Sequence, residues 1–271
     1  MPSCAADANA LLSQRYINAL ERHELLRIAQ SEKPGVLSGI FLPAVDDAYL
    51  QSKVRVMLIG QEPKKWGRDL HSLAIGEDLP AALGPYVQAQ MAAYRKTAAM
   101  PARTSRFRQF HFQLHATLRD HVGAGHNAIF WGNLLCMSRR SASPVKAAEI
   151  ARIAALSRDL LNIQVELLRP HLIVFTTGYR YDGFLKEQIG HAYTTLPGLV
   201  PKTFWPFAVH QPALTAWRVR HPRRLTRETR KHLFASIGGA AGSLCDCAEL
   251  TAAEQTGAEQ AGAQQAERNA A

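Results

Sequence analysis

The stretch Val54-Arg55-Val56-Met57-Leu58-Ile59-Gly60-Gln61-Glu62-Pro63 sets the fold. Its first half is a short apolar run rich in β-branched residues, which predicts a buried strand. The run stops at Gly60, and a polar residue, a carboxylate and a proline follow at once. In open parallel α/β sheets, ligands bind outside the carboxyl ends of the strands. Glu62 is therefore a candidate for pointing into such a cleft. The alternative is that it caps the following segment or faces solvent.

Outward from this stretch, apolar patterns alternate between the helical and the strand period. Leu12, Tyr16, Leu20 and Ile28 predict a helix over 8–31, ended by Pro34 and Gly35. Residues 36–50 read as an irregular lead-in. Beyond Pro63 lies a long polar interval with breaks at Pro80, Gly84 and Pro85, helices over 86–98 and 106–121, and a turn or loop at 100–105. Residues 128–135 read as a second strand with polar Asn133 near its end. Ser143 followed by Pro144 gives a cap and a first-turn proline for a helix running to about Leu168. Residues 172–175 form the third strand, 179–189 a helix, and 207–209 and 216–219 strands around the turn at Gln211-Pro212. A closing helix spans 227–237.

Strands alternating with helices predict an α/β fold. The expected form is a three-layer α/β/α sandwich with a central, mainly parallel four-stranded sheet. An N-terminal helix and lead-in occupy 1–50 and the α/β domain 51–238. A low-complexity tail, 239–271, holds almost no large apolar residues and is expected to be disordered.

The chain has 271 residues, and its 47% hydrophobic content fits a globular protein. No apolar run approaches the roughly 18 residues of a membrane helix. The first ten residues lack a basic region followed by an apolar core, so no secretory signal is read and a cytoplasmic location is expected. Cys4, Cys136, Cys245 and Cys247 lack the spacing of a zinc or iron–sulfur site, so neither metal nor cofactor is expected. The net charge is +10, unevenly placed: 240–271 carries −4, leaving +14 on the remainder. A basic body suits a polyanion such as nucleic acid.

Three polar signatures follow three predicted strands: Gly60-Gln61-Glu62-Pro63, then Asn133, then His221-Pro222-Arg223-Arg224-Leu225. In their order and placement they resemble the uracil-DNA glycosylase superfamily, over roughly residues 54–237. That family has a strand leading into a Gly-Gln-Asp-Pro-type motif, an asparagine near the end of a middle strand, and a late His-Pro motif leading into a leucine-bearing loop. The resemblance implies hydrolysis of the N-glycosidic bond of uracil or another deaminated base in DNA. The alternatives are a noncatalytic nucleic-acid binder that kept the fold and, third, a small-molecule enzyme using the same cleft, nucleosides being one candidate substrate. The implied partner is DNA, with single-stranded and damaged forms both open, bound by a monomer that needs no cofactor and no membrane.

By the same resemblance, Glu62 stabilises the sugar cation and orients water, where the family usually has aspartate. One extra methylene moves the carboxylate by about 1.5 Å if nothing adjusts, and misplacement on that scale costs about a hundredfold in rate. Gly60 and Gln61 would line the base site. Asn133 carries both a donor and an acceptor for a pyrimidine edge. His221 would stabilise charge on the leaving base, with His210 as a lesser rival. Trp66 is a candidate stacking aromatic, since 69–75 holds no obvious one. Leu225 would be the wedge that fills the gap left by a flipped base. Arg220, Arg223 and Arg224, in a cluster with Arg218, Arg227 and Arg230, would contact phosphates. Lys64 stands where members that exclude thymine place a tyrosine, so that device is missing here.

Overall fold

The computed structural model describes residues 2, 4–31, 33–67, 70–75, 79–100, 105–122, 129–140, 142–144, 150–190 and 192–246. The start of the helix expected after Ser143, most of the 100–105 turn and the tail beyond 246 lie outside these residues.

The opening stretch forms strand β1 (Val56–Gly60), with all five residues buried. With β2 (Ile129–Asn133), β3 (Leu172–Phe175), β4 (Tyr193–Thr195), β5 (Phe204–His210) and β6 (Ala213–Val219) it builds one sheet, ordered β2-β1-β3-β6-β5-β4. β2, β1, β3 and β6 run parallel; β5 and β4 continue the sheet antiparallel. The sheet thus has six strands rather than the expected four. The parallel part is read easily because strands covered on both faces are continuously apolar. β4, Tyr-Thr-Thr, offers no such run and joins through a hairpin to β5.

Helix α1 (Ala5–Arg22) buries Ala8, Leu12, Tyr16 and Ala19, a stripe at helical spacing. The single helix expected over 8–31 is broken. Glu24 has φ +49 and its N–H closes a tight turn on Glu21 O, so the chain restarts as α2 (Leu25–Ser31). After α3 (Asp47–Leu50) and β1 come α4 (Leu79–Ala99) and α5 (Arg106–Val122). α4 runs through Pro85, which reads as a break in sequence. Burial of Leu83, Val87, Met91 and Tyr94 outweighs the one backbone donor that proline withholds. The guanidinium of Arg108 joins the two helices by donating to the carbonyls of Ala98 and Met100, at 2.8 and 2.9 Å. α6 (Ile150–Leu168) and α7 (Asp182–Ile189) follow.

The last helix, α8, spans 227–246. Gly238-Gly239 does not end it. An added Cβ at Gly238 would lie 2.5 Å from His121 Nε2, so this glycine serves the close approach of α8 to α5. Ala241 and Cys245, beyond the expected boundary at 238, are buried.

Successive strand residues feed two separate apolar clusters. Met57, Ile59, Ile173 and Phe175 join residues of α1, α2, α4, α6 and α7. Val56, Leu58, Leu172 and Val174 join Phe110, Leu114 and Leu118 of α5 and Leu233, Ile237 and Ala241 of α8. Among the described residues, no helix is long and apolar enough to cross a membrane.

Candidate active site

The carboxyl ends of the four parallel strands meet along one edge of the sheet. Gly60, last in β1, is the register partner of Asn133, last in β2. The two are in intimate contact: a Cβ added to Gly60 would lie 2.5 Å from Asn133 Oδ1 and 3.2 Å from the ring of Phe107. Only glycine lets the asparagine amide and that ring lie over the strand end. Leu134 and Leu135 donate to the Gly60 and Gln61 carbonyls, at 2.9 and 2.8 Å, and hold the two exits side by side.

Gln61 reaches the other way. Its amide nitrogen donates to Thr177 O, at 2.7 Å, just past β3. Gly178 N–H in turn donates to Val219 O at 2.9 Å, and a Cβ at Gly178 would sit 3.9 Å from His221 N. Asn133, Gly60, Gln61, Thr177 and His221 therefore form a continuous row across four strand ends. His210 is at the wrong edge: it pairs with Ala213 at the start of β6, and its ring bonds to Thr194.

Glu62 is half-buried, and its carboxylate has a specific partner. Tyr181 Oη lies 2.5 Å from Glu62 Oε2 and 2.7 Å from Ser143 Oγ. A phenol has one proton, so with Glu62 ionised Tyr181 donates to the carboxylate and accepts from Ser143. Burial pushes the Glu62 carboxyl above the usual range, and the tyrosine hydrogen bond acts against that rise.

His221 precedes the single helical turn Pro222–Arg224. Its Nδ1 accepts from the Arg223 backbone N–H at 3.2 Å. A backbone amide can only donate, so the neutral ring carries its proton on Nε2. Burial, then the charges of Arg223 and Arg224, hold the imidazole below its ordinary pKa. The site thus has a neutral ring whose free nitrogen is a donor.

Three assignments change. Leu225 is only 9% exposed and packs into the cluster with Val219, Leu233 and Ile237, so it does not project as a wedge. Trp66 is half-buried and packs edge-on against Phe41, with centroids 4.6 Å apart, on the margin of the main core. The ring that reaches Gly60 is Phe107, 5.5 Å from the Trp131 ring. In the arginine cluster, Arg218 is 3% exposed and paired with Asp182 through two 2.8 Å contacts, and Arg230 is bonded to Gln113. Arg223, Arg224 and Arg227 are exposed, and Arg220 is partly so.

Phe107, Tyr181 and Ser143 carry no sequence signal for a site. Phe107 looks like one more apolar residue of α5, and Tyr181 lies 119 residues from Glu62. The chain matches no family model and no curated protein.

Proposed function

We propose that the chain is a DNA glycosylase of the uracil-DNA glycosylase type, a three-layer α/β/α sandwich acting as a cytoplasmic monomer without a cofactor. The observation that carries this reading is the single row of Asn133, Gly60, Gln61 and His221 along the strand ends, with Glu62 fixed beside it. The row offers a base-edge reader, a close-approach glycine and a neutral imidazole donor. Phe107 supplies the aromatic face that 69–75 lacks.

In the proposed reaction a flipped uracil or other deaminated base lies against Phe107, with its polar edge on Asn133. The bond between the sugar C1′ and the base nitrogen breaks, and its electron pair leaves with the base. His221 Nε2–H stabilises the charge developing on the base carbonyl oxygen. The Glu62 carboxylate faces the cationic sugar and orients water, which attacks C1′ and releases a proton to solvent. Tyr181 fixes where the longer glutamate side chain places its charge.

Purified protein assayed on oligonucleotides bearing uracil, hypoxanthine or xanthine tests the reading directly. Glu62→Gln is expected to cut excision about a hundredfold or more, as loss of one electrostatic stabiliser does, while DNA binding survives. Equal turnover by variant and parent removes Glu62 from the mechanism.

A second reading, a noncatalytic DNA binder, is favoured by one observation. The Asn133 amide and the Phe107 ring each close on Gly60, leaving no room even for a Cβ at the strand end where the base edge is proposed to lie. DNA binding without release of any base would establish it.

A further inference from the structure

With Leu225 buried, an exposed apolar pair stands elsewhere on the same edge of the sheet. β4 and β5 are joined through 196–203, and at its tip Leu199 is 49% and Val200 50% exposed. The backbone there is closed on itself. Leu196 donates to Pro206 O at 2.9 Å, Val200 to Phe204 O at 2.8 Å and Thr203 to Val200 O at 3.0 Å. Gly198 and Lys202 take φ +92 and +61 to make the reversals. The two side chains are thus presented on an ordered backbone rather than folded against the protein.

The tip sits next to the candidate site. Phe204, which follows it, is the register partner of Val219, two residues before His221. Arg220 Nε makes a long 3.5 Å contact to Lys202 O, and Lys202 Nζ lies 5.8 Å from the ring centroid of exposed Tyr179. The charge along this part of the chain has one sign. Residues 188–227 contain Lys202, Arg218, Arg220, Arg223, Arg224 and Arg227, and neither aspartate nor glutamate. Arg218 is paired with Asp182; Lys202 and Arg220 stand at the hairpin itself, and Arg223, Arg224 and Arg227 lie in and after the His221 turn.

An exposed aliphatic pair set among cations matches the surface of a minor-groove docking element, in which apolar side chains press between base steps while lysine and arginine hold phosphates. We propose that the 196–203 hairpin docks duplex DNA, with Leu199 and Val200 against a base step and Lys202 and Arg220 on the flanking phosphates. Aliphatic rather than aromatic side chains at the tip favour a wedge in a duplex over a stacking platform for a single strand. The inference rests on the nucleic-acid part of the proposed function and not on its chemistry.

The test uses full-length Leu199→Ser/Val200→Ser and Lys202→Ala with a duplex carrying 2-aminopurine, read by anisotropy and fluorescence across a salt series. The double variant should keep the parental melting temperature. It should bind the duplex about tenfold more weakly, as loss of two partly buried aliphatic contacts implies. It should also lose the fluorescence rise that reports unstacking, and keep the parental salt slope. Lys202→Ala should lower that log–log slope by about 0.9, and because it leaves the apolar pair in place it decides the matter if the double variant does not fold. Parental affinity and fluorescence in the folded double variant, or a parental slope in Lys202→Ala, overturns the proposal. So does loss of binding to phosphatidylglycerol-containing vesicles with duplex binding unchanged, which assigns the tip to a membrane surface. Excision is measured in parallel. A parent that binds duplex and unstacks it but releases no base sinks the glycosylase reading and leaves the hairpin standing.

Discussion

Glu62 is one methylene longer than the aspartate its position resembles, so the placement of its charge depends on what grips the carboxylate. Tyr181 does this from the far side of the β3 exit, with Ser143 behind it. The same hydrogen bond favours the ionised form against the cost of burial. Removing it leaves burial unopposed, so the carboxyl pKa rises further and the active, ionised fraction falls at a given acid pH. Tyr181→Phe is therefore expected to move the acidic limb of the pH–excision profile to higher pH, with substrate binding little changed. Tyr181→Phe placed on Glu62→Asp should add less, because the shorter carboxylate no longer reaches the phenol. A limb at the parental pH in Tyr181→Phe would show that the contact is structural only. Residues at this scale were legible where the backbone announces them: Gly60, Asn133 and His221 each end or follow a strand. Tyr181 and Phe107 were not, because nothing local marks a side chain whose partner is remote in sequence.

At the scale of elements, the turn after β6 divides its residues between two environments. Pro222 and Leu225 are buried, while Arg223 and Arg224 point outward. That division withdraws the leucine from the wedge role and leaves the two exposed arginines as the candidates for phosphate contact in the proposed function. Replacing both with alanine removes no buried contact, and the Arg223 N–H that orients His221 is backbone and survives. Binding should therefore weaken for every DNA sequence, and the log–log salt slope should fall by about 1.8, about 0.9 per contact. An unchanged slope would take the docking surface away from this turn. The same local logic explains which elements the sequence disclosed. β1 and β3, continuous apolar runs, were read with nearly their true bounds. β4 was missed because three polar or half-polar residues gain strand structure only by pairing with β5. Pro85 misled because its usual meaning, a helix break, is overridden by packing.

The whole molecule separates charge along the chain, with +14 on residues 1–239 and −4 on the remainder. Sequence alone put the structural boundary at the same place as the charge boundary, since glycine, alanine and acids follow Ile237. The two boundaries differ in the fold. α8 continues to 246 and seats Ala241 and Cys245 in the cluster shared with Val219 and Leu225, under the turn that carries His221. Composition does not disclose this, because alanine and cysteine become core residues only when a neighbouring helix surface is there to meet them. Two truncations distinguish packing from charge. Ending the chain after Asp246 removes four acids and one base and takes the net charge from +10 to +13. This chain should melt like the parent, and it should associate faster with DNA at low salt, because long-range attraction scales with charge. Ending it after Gly239 also removes the buried residues. Their loss is worth about 2 kcal/mol of apolar burial, which for a domain of this size lowers the melting temperature by about 4–8 °C. Equal melting temperatures for the two truncations would show that the last turns of α8 add nothing to the core, and that the boundary read from composition was also the structural one.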